Sequence, residues 1–252
     1  MCGHCASNVR RDRNRPATPL AAPPRPGVLI RRSKAPLPSP NQPESEATDA
    51  PLFARVLGDG WSDLGAIIRR HYFLRACSGD RVTVSGTMDE VYLSPAAKLL
   101  SPLSRMVGAL VPYGGTDIPI EVHYEAPQGS EAIHWDRVFR FPGRAPYHFR
   151  SRMVMVEPGE IIEFVRFNIG LRMRVTAEDG ALVFRDTGYV WRLGSIDLPI
   201  PGRLLLGRAY VEERPEGEDR FSMRMNLRHP LLGELFRYSG RFTMGEPHRG
   251  SP

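Results

Sequence analysis

Ile133-His134-Trp135-Asp136-Arg137-Val138-Phe139-Arg140-Phe141 is the stretch that decides how this chain is read. A β-strand sends alternate side chains to opposite faces. Trp135, Arg137, Phe139 and Phe141 therefore share one face, and His134, Asp136, Val138 and Arg140 share the other. The first face is aromatic and should be buried, yet it carries an arginine in its middle. A guanidinium keeps its proton inside a protein, so its burial requires a carboxylate, carbonyl groups or a bound anion. The stretch predicts an enclosed pocket or a buried ion pair.

The same alternation continues downstream. Strands are expected at Ile118–Glu125, Ala132–Phe141, Tyr147–Val156, Ile161–Phe167, Leu171–Thr176, Ala181–Leu193, Arg208–Arg214, Arg220–Arg228 and Leu235–Met244. A further strand, Arg81–Thr87, is read upstream from its β-branched content. Turn signals such as Glu157-Pro158-Gly159 and Glu178-Asp179-Gly180 join several of them as hairpins. The fold class is mainly β (α+β). It is an antiparallel, strongly curved meander sheet or barrel of about nine to ten strands, with two covering helices. One helix is expected over about Ser62–Phe73, with Ser62 as N-cap, and the other over Pro95–Val111, with Pro102 as a kink or break. The segment from Ile196 to Leu206 carries prolines at 199 and 201 and reads as a loop or short helix. Its leucines form an apolar satellite under that loop, or else a lid over a pocket mouth or a membrane-touching edge.

The domain organisation is a basic Pro/Arg-rich tail over 1–50, one β-rich domain over 51–246, and a disordered C-terminus over 247–252. Residues 1–50 hold nine prolines and no periodic apolar pattern, too little to offset chain entropy. The net charge of +6 is concentrated there: residues 1–43 carry eight Lys/Arg against Asp12, so the remainder is close to neutral. A basic excess confined to a tail gives the folded part no nucleic-acid footprint. No apolar run reaches the roughly 20 residues of a spanning helix, and no apolar signal core opens the chain, which predicts a cytoplasmic protein.

No reaction class is specified by motif. There is no Gly-x-Ser-x-Gly elbow and no phosphate-binding Gly-x-x-x-x-Gly-Lys loop. Cys2 and Cys5 have redox-pair spacing, but lie in the tail without a helix to lower a thiol pKa or further ligands to complete a zinc site. Cys77 reads as a small buried apolar residue. His123, His134, His148 and His229 lack metal-ligand spacing. No metal or cofactor is expected.

The order of these pieces resembles the bacterial domain of unknown function 4166. The points of resemblance are Trp135-Asp136-Arg137-Val138-Phe139, Ser151, Glu163, Leu198-Pro199-Ile200-Pro201, Pro230-Leu231-Leu232-Gly233 and Tyr238-Ser239-Gly240, within about Leu52–Met244. Members of that family also occur fused behind reductase domains resembling saccharopine dehydrogenase. The resemblance therefore implies a module that acts alone or beside a separate reductase, and supplies no reaction. It also implies a histidine near His71, which the helical pattern places at the end of an apolar stripe.

Strand phasing gives the candidate interior. Phe149, Ser151, Met153 and Met155 share one face, and Ile161, Glu163, Val165 and Phe167 share another. Three adjacent strands each offer one polar residue: Arg137, Ser151 and Glu163. Their convergence makes either a structural ion pair or a grip on a ligand's carboxylate or phosphate. A neighbouring guanidinium favours an ionised carboxylate, which argues against a general base there. The candidate ligand-binding set is Trp135, Arg137, Phe139, Ser151, Glu163, His71 and Tyr238. The reading that follows is a small, partly apolar or anionic, lipid-like ligand in a β-lined pocket. The alternatives are an enzyme or accessory subunit partnered with a reductase, and a pocketless interaction scaffold.

Overall fold

The computed structural model describes residues 49–99, 108 and 110–250. Long amphipathic strands dominate them: β1 (Arg81–Leu93), β2 (Gly115–Glu125), β3 (Ile133–Phe139), β4 (Tyr147–Glu157), β5 (Glu160–Phe164), β6 (Ile169–Glu178), β7 (Ala181–Leu193), β8 (Ile196–Ile200), β9 (Arg208–Pro215), β10 (Arg220–His229) and β11 (Gly233–Met244). Each pairs antiparallel with its neighbour in the order β6-β5-β4-β3-β2-β1-β11-β10-β9-β7-β8, and β6 also pairs with β7. That last pairing closes a ten-stranded up-and-down barrel and leaves β8 outside the ring. Closure removes the free edges that a sheet of this length would otherwise expose.

The β7 edge explains why β8 is extra. Leu182–Arg185 of β7 pair with β9, while Tyr189–Leu193 pair with β8. β8 and β9 thus lie in line along one edge, and the short helix α3 (Gly202–Leu205) interrupts them. The expected loop or helix at 196–200 is therefore a strand. Pro199 is tolerated because β8 has β7 on one side only, so its missing N–H breaks no ladder.

Close backbone approach is needed where β1 bends against β11. A Cβ on Gly86 would stand 2.2 Å from the Arg241 carbonyl oxygen, so this position accepts no side chain.

The barrel interior and the helices share one core. α1 (Leu52–Leu57) and α2 (Ala66–His71), separated by a 3-10 turn at Gly58–Asp63, plug one end. Leu52, Phe53, Val56, Ile67 and Ile68 point inward and are buried, each worth about 1.5–3 kcal/mol relative to exposure. Gly159 N–H donates to Val56 O, and Gly65 N–H to Gly180 O, tying the plug to strand turns. Ser62 is not the N-cap of α2. Gly65 occupies that position, and Ser62 Oγ donates to Asp59 O within the 3-10 turn. The chain crosses the helix-plugged end with acidic turns, among them Asp59, Asp63, Asp179, Glu216, Glu218 and Asp219, all exposed.

The opposite end holds α3 and the turns after β1, β3, β5, β7 and β10. Of the helix expected at 95–111, residues 95–99 are helical and Leu110–Val111 are not; residues 100–107 and 109, with Pro102, lie outside the described residues, as do residues 1–48 with Cys2 and Cys5. Four side chains depart from expectation. Phe167 does not continue the β5 alternation, because the strand ends at Phe164 and Phe167 takes φ 59°, leaving it exposed. Leu204 and Leu205 are exposed rather than a covered satellite, and only Leu206 turns inward. Cys77 is half-buried, with Sγ 3.6 Å from Glu131 Oε1. Near the C-terminus, His248 bridges to Arg81 and Gly250 N–H donates to Asp80.

Candidate functional site

β3, β4 and β5 bring the predicted charged residues together. In the register, Arg137 faces Phe149, Trp135 faces Ser151, and Met153 faces Glu163. Arg137 donates from Nη1 to Ser151 Oγ at 3.0 Å and from Nη2 to Glu163 Oε1 at 2.9 Å. Ser151 Oγ in turn donates to the same Glu163 oxygen at 2.6 Å. The guanidinium lies 4.6 Å from the Trp135 ring centroid and 5.0 Å from that of Phe149, so two aromatic faces flank it. Burial works against the Arg137 charge, but the Glu163 carboxylate outweighs it and raises the guanidinium pKa. Tyr238 stands nearby with its hydroxyl pushed up to about 12, chiefly by burial.

A second polar group sits deeper, against the helical plug. His71, the last residue of α2, is wholly buried. Its ring stacks on Phe221 at 4.6 Å and meets Tyr72 and Tyr124 edge-on or tilted. Its Nδ1 is 3.2 Å from Glu213 Oε2, a contact off the hydrogen-bonding direction. Glu213 belongs to β9 and is almost fully buried. Both His71 nitrogens, Glu213 Oε2, the Tyr72 hydroxyl and Trp135 Nε1 are buried without a hydrogen-bond partner. Such atoms are rare, because each costs about 1–3 kcal/mol. Here they cluster. Burial, then the nearby Glu213 carboxyl, pushes the Tyr72 and Tyr124 hydroxyls far above their usual range.

Both groups border a cavity of about 100 Å³. Its polar wall includes Arg137, Glu163, Glu213, Trp135 and Tyr238. Four methionines, Met153, Met173, Met223 and Met225, line it with Phe149 and Phe184, and Leu110, Val111 and Leu206 line it toward the end opposite the plug. Ser151 stands behind Arg137 and Glu163. Phe139 packs in the core against Phe141 and Tyr238 rather than on the cavity wall. His71 reaches the cavity through Glu213. Among the described residues no cluster of three His, Cys, Asp or Glu is placed to hold a metal.

Glu213 is the residue that the sequence reading did not single out. Ala209, Val211 and Glu213 share one face of β9, so a charge on an apolar face was visible there, as it was at Arg137. Its neighbour Glu212 masks it. Glu212 lies on the outer face of β9, buried beneath Tyr210, Arg214 and Arg224, which all donate to it.

Fold and site define a closed antiparallel β-barrel, plugged at one end by helices and carrying ionisable groups in its interior. Residues 64–242 match the family model described as Domain of unknown function (DUF4166), and the chain belongs to that family. A search of curated proteins gives no match. Among solved structures, the crystal structure of Rv2717c from M. tuberculosis is similar at 12% identity and a TM-score of 0.34, covering 73% of this chain and all of that one.

Proposed function

We propose that the barrel binds a small, partly apolar molecule whose polar group meets Glu213 and Trp135 and whose apolar part lies among the methionines. The observation that carries this is a pair of buried, unpartnered polar atoms on a cavity wall, Glu213 Oε2 and Trp135 Nε1. A pocket normally combines an apolar lining with a few convergent polar groups that orient the ligand. A cavity of about 100 Å³ is small beside the roughly 300–1,000 Å³ of drug-sized sites. Methionine side chains are the adaptable component that lets it enlarge.

The polar group is neutral rather than anionic. Arg137 is the only cation on the cavity wall among the described residues, and Glu163 and Ser151 already engage it. A ligand carboxylate would meet two protein carboxyl groups and one occupied guanidinium. A hydroxyl or amide both accepts from Trp135 Nε1 and donates to Glu213. Thermal-shift titration with medium-chain alcohols and the matching carboxylic acids tests this, since a ligand that binds only the folded state raises Tm. The alcohols should raise Tm and the acids should not. Equal effects from both, or none from either, overturn the reading.

A second reading draws on the buried His71–Glu213 contact, an arrangement able to hold and pass a proton. It requires turnover that Glu213→Gln abolishes while ligand binding to the apolar wall persists.

A further inference from the structure

The barrel end opposite the helical plug is apolar at its tips and basic around them. Trp191, Leu193, Ile196 and Leu198 form two cross-strand pairs on one face of the β7–β8 hairpin, and all four are exposed. Trp191 stands opposite Ile169, a cavity-lining residue, so this face continues the barrel's inner surface beyond the rim. Phe167 joins it, its carbonyl accepting from Trp191 Nε1 at 3.1 Å.

On the adjoining turns, Leu204 and Leu205 of α3 and Leu231 and Leu232 after β10 are also exposed, Leu231 at 88%. His229 clips these two turns together. Its Nε2 lies 2.8 Å from the Leu204 carbonyl, while Nδ1 accepts from the Leu231 and Leu232 amides at 3.1 and 3.2 Å. The donor on one side and acceptor on the other assign the Nε2–H tautomer. A buried histidine is thus used to hold four leucines out in solvent, where they bury nothing.

The exposed charges at this end that lack a salt-bridge partner are mainly basic, Asp117 at the start of β2 being the acid among them. Lys98, Arg144, Arg166, Arg208 and Arg228 are exposed, and none forms an ion pair among the described residues. Arg208 and Arg228 stand directly opposite each other on β9 and β10. Like charges so placed repel unless an anion lies between or above them. Three acids nearby are already engaged, Asp197 by Arg192, Asp186 by Arg203, and Glu234 by Arg237. The turns of the plugged end, by contrast, carry exposed acids interspersed with arginines such as Arg70 and Arg220.

We propose that this end docks on an anionic phospholipid surface, with the leucine and tryptophan tips entering the interface and the arginines meeting lipid phosphates. Separate apolar tips on several turns, ringed by arginine, suit a fluid interface that each tip enters independently. The docked face is the one toward which the cavity is lined by Leu110 and Leu206, so an apolar ligand drawn from the bilayer would enter there. Docking does not depend on the cavity ligand, and the vesicle experiment reads it alone.

Flotation of the full chain with phosphatidylcholine vesicles, with and without phosphatidylglycerol, tests it, with far-UV circular dichroism as the check on folding. The protein should float with the phosphatidylglycerol vesicles and not with phosphatidylcholine alone. Leu204→Ser/Leu231→Ser should weaken partitioning at least about tenfold, from the loss of two buried apolar side chains. Arg208→Glu/Arg228→Glu should weaken it separately and lessen its salt sensitivity relative to the parent. The basic residues before Pro43 are common to every variant, so the leucine and arginine losses report on this end. Flotation unchanged by both double variants overturns the proposal. So does failure of the parent protein to float, or self-association that the leucine substitutions abolish in the absence of lipid.

Discussion

Arg137 is held by two hydrogen bonds and two ring faces, and it leaves Glu163 little else to pair with. Removing one partner of such a buried pair strands the other, at a cost of about 3–5 kcal/mol. Arg137→Met should lower urea-unfolding stability by about that much, while Arg137→Met/Glu163→Gln recovers part of it. An Arg137→Met variant as stable as the parent would mean that the ion pair does not hold the barrel wall. Glu213→Gln is expected to behave differently. Glu213 Oε2 makes no hydrogen bond and has His71 Nδ1 as a close contact at 3.2 Å, so stability should fall by less than in Arg137→Met, while the Tm increase from medium-chain alcohols falls. Arg137 could be read from sequence because one charge stands among three aromatic residues on an alternating face. Glu213 could not be separated from Glu212 without knowing which face β9 turns inward.

At the scale of elements, alternation survives burial and so survives reading. Most strand positions follow from period-two patterning, because the barrel has one apolar and one solvated face. The departures each have a local cause. β8 hides behind Pro199 and Pro201, which an edge strand accommodates. Phe167 breaks phase through a left-handed φ, for which a phenylalanine gives no warning. Ser62 looks like a cap, but Gly65 begins α2. Two predictions belong to this scale. Gly86→Ala should cost about 1–3 kcal/mol by overpacking, because its Cβ would meet the Arg241 carbonyl on β11; thermal unfolding measures it. Asp80 anchors the start of β1, accepting from Arg75 Nε, Nη2 and N–H and from Gly250 N–H. Burial alone would raise its pKa, but these hydrogen bonds, led by Arg75, bring it below the usual carboxylate range. With the folded pKa depressed, its contribution is complete above the unfolded pKa and is lost as pH falls through the folded one. Asp80→Asn should therefore destabilise at neutral pH and flatten the acid limb of the stability–pH curve. An unchanged acid limb would contradict this.

For the whole molecule, closure is the feature with no local signature. The β1–β11 and β7–β9 pairings join strands far apart in sequence or across an insertion, and nothing in either segment announces its partner. Closure is also what turns a curved sheet into a container. It brings Arg137 and Glu163 from one wall and Glu213 from the other around one cavity, with His71 of the plug behind Glu213. Charge differs between the two ends, mixed at the plug and mainly basic at the opposite rim, a distinction that net charge conceals. The claim on which the rest depends is that this cavity takes a ligand. Native mass spectrometry of the purified full chain, followed by denaturing release and identification of what leaves, tests it most directly. The predicted result is a neutral amphiphile bound one to one by the parent protein and depleted in Glu213→Gln. A parent protein of unadorned polypeptide mass, which also takes up no medium-chain alcohol when it is supplied, would contradict it.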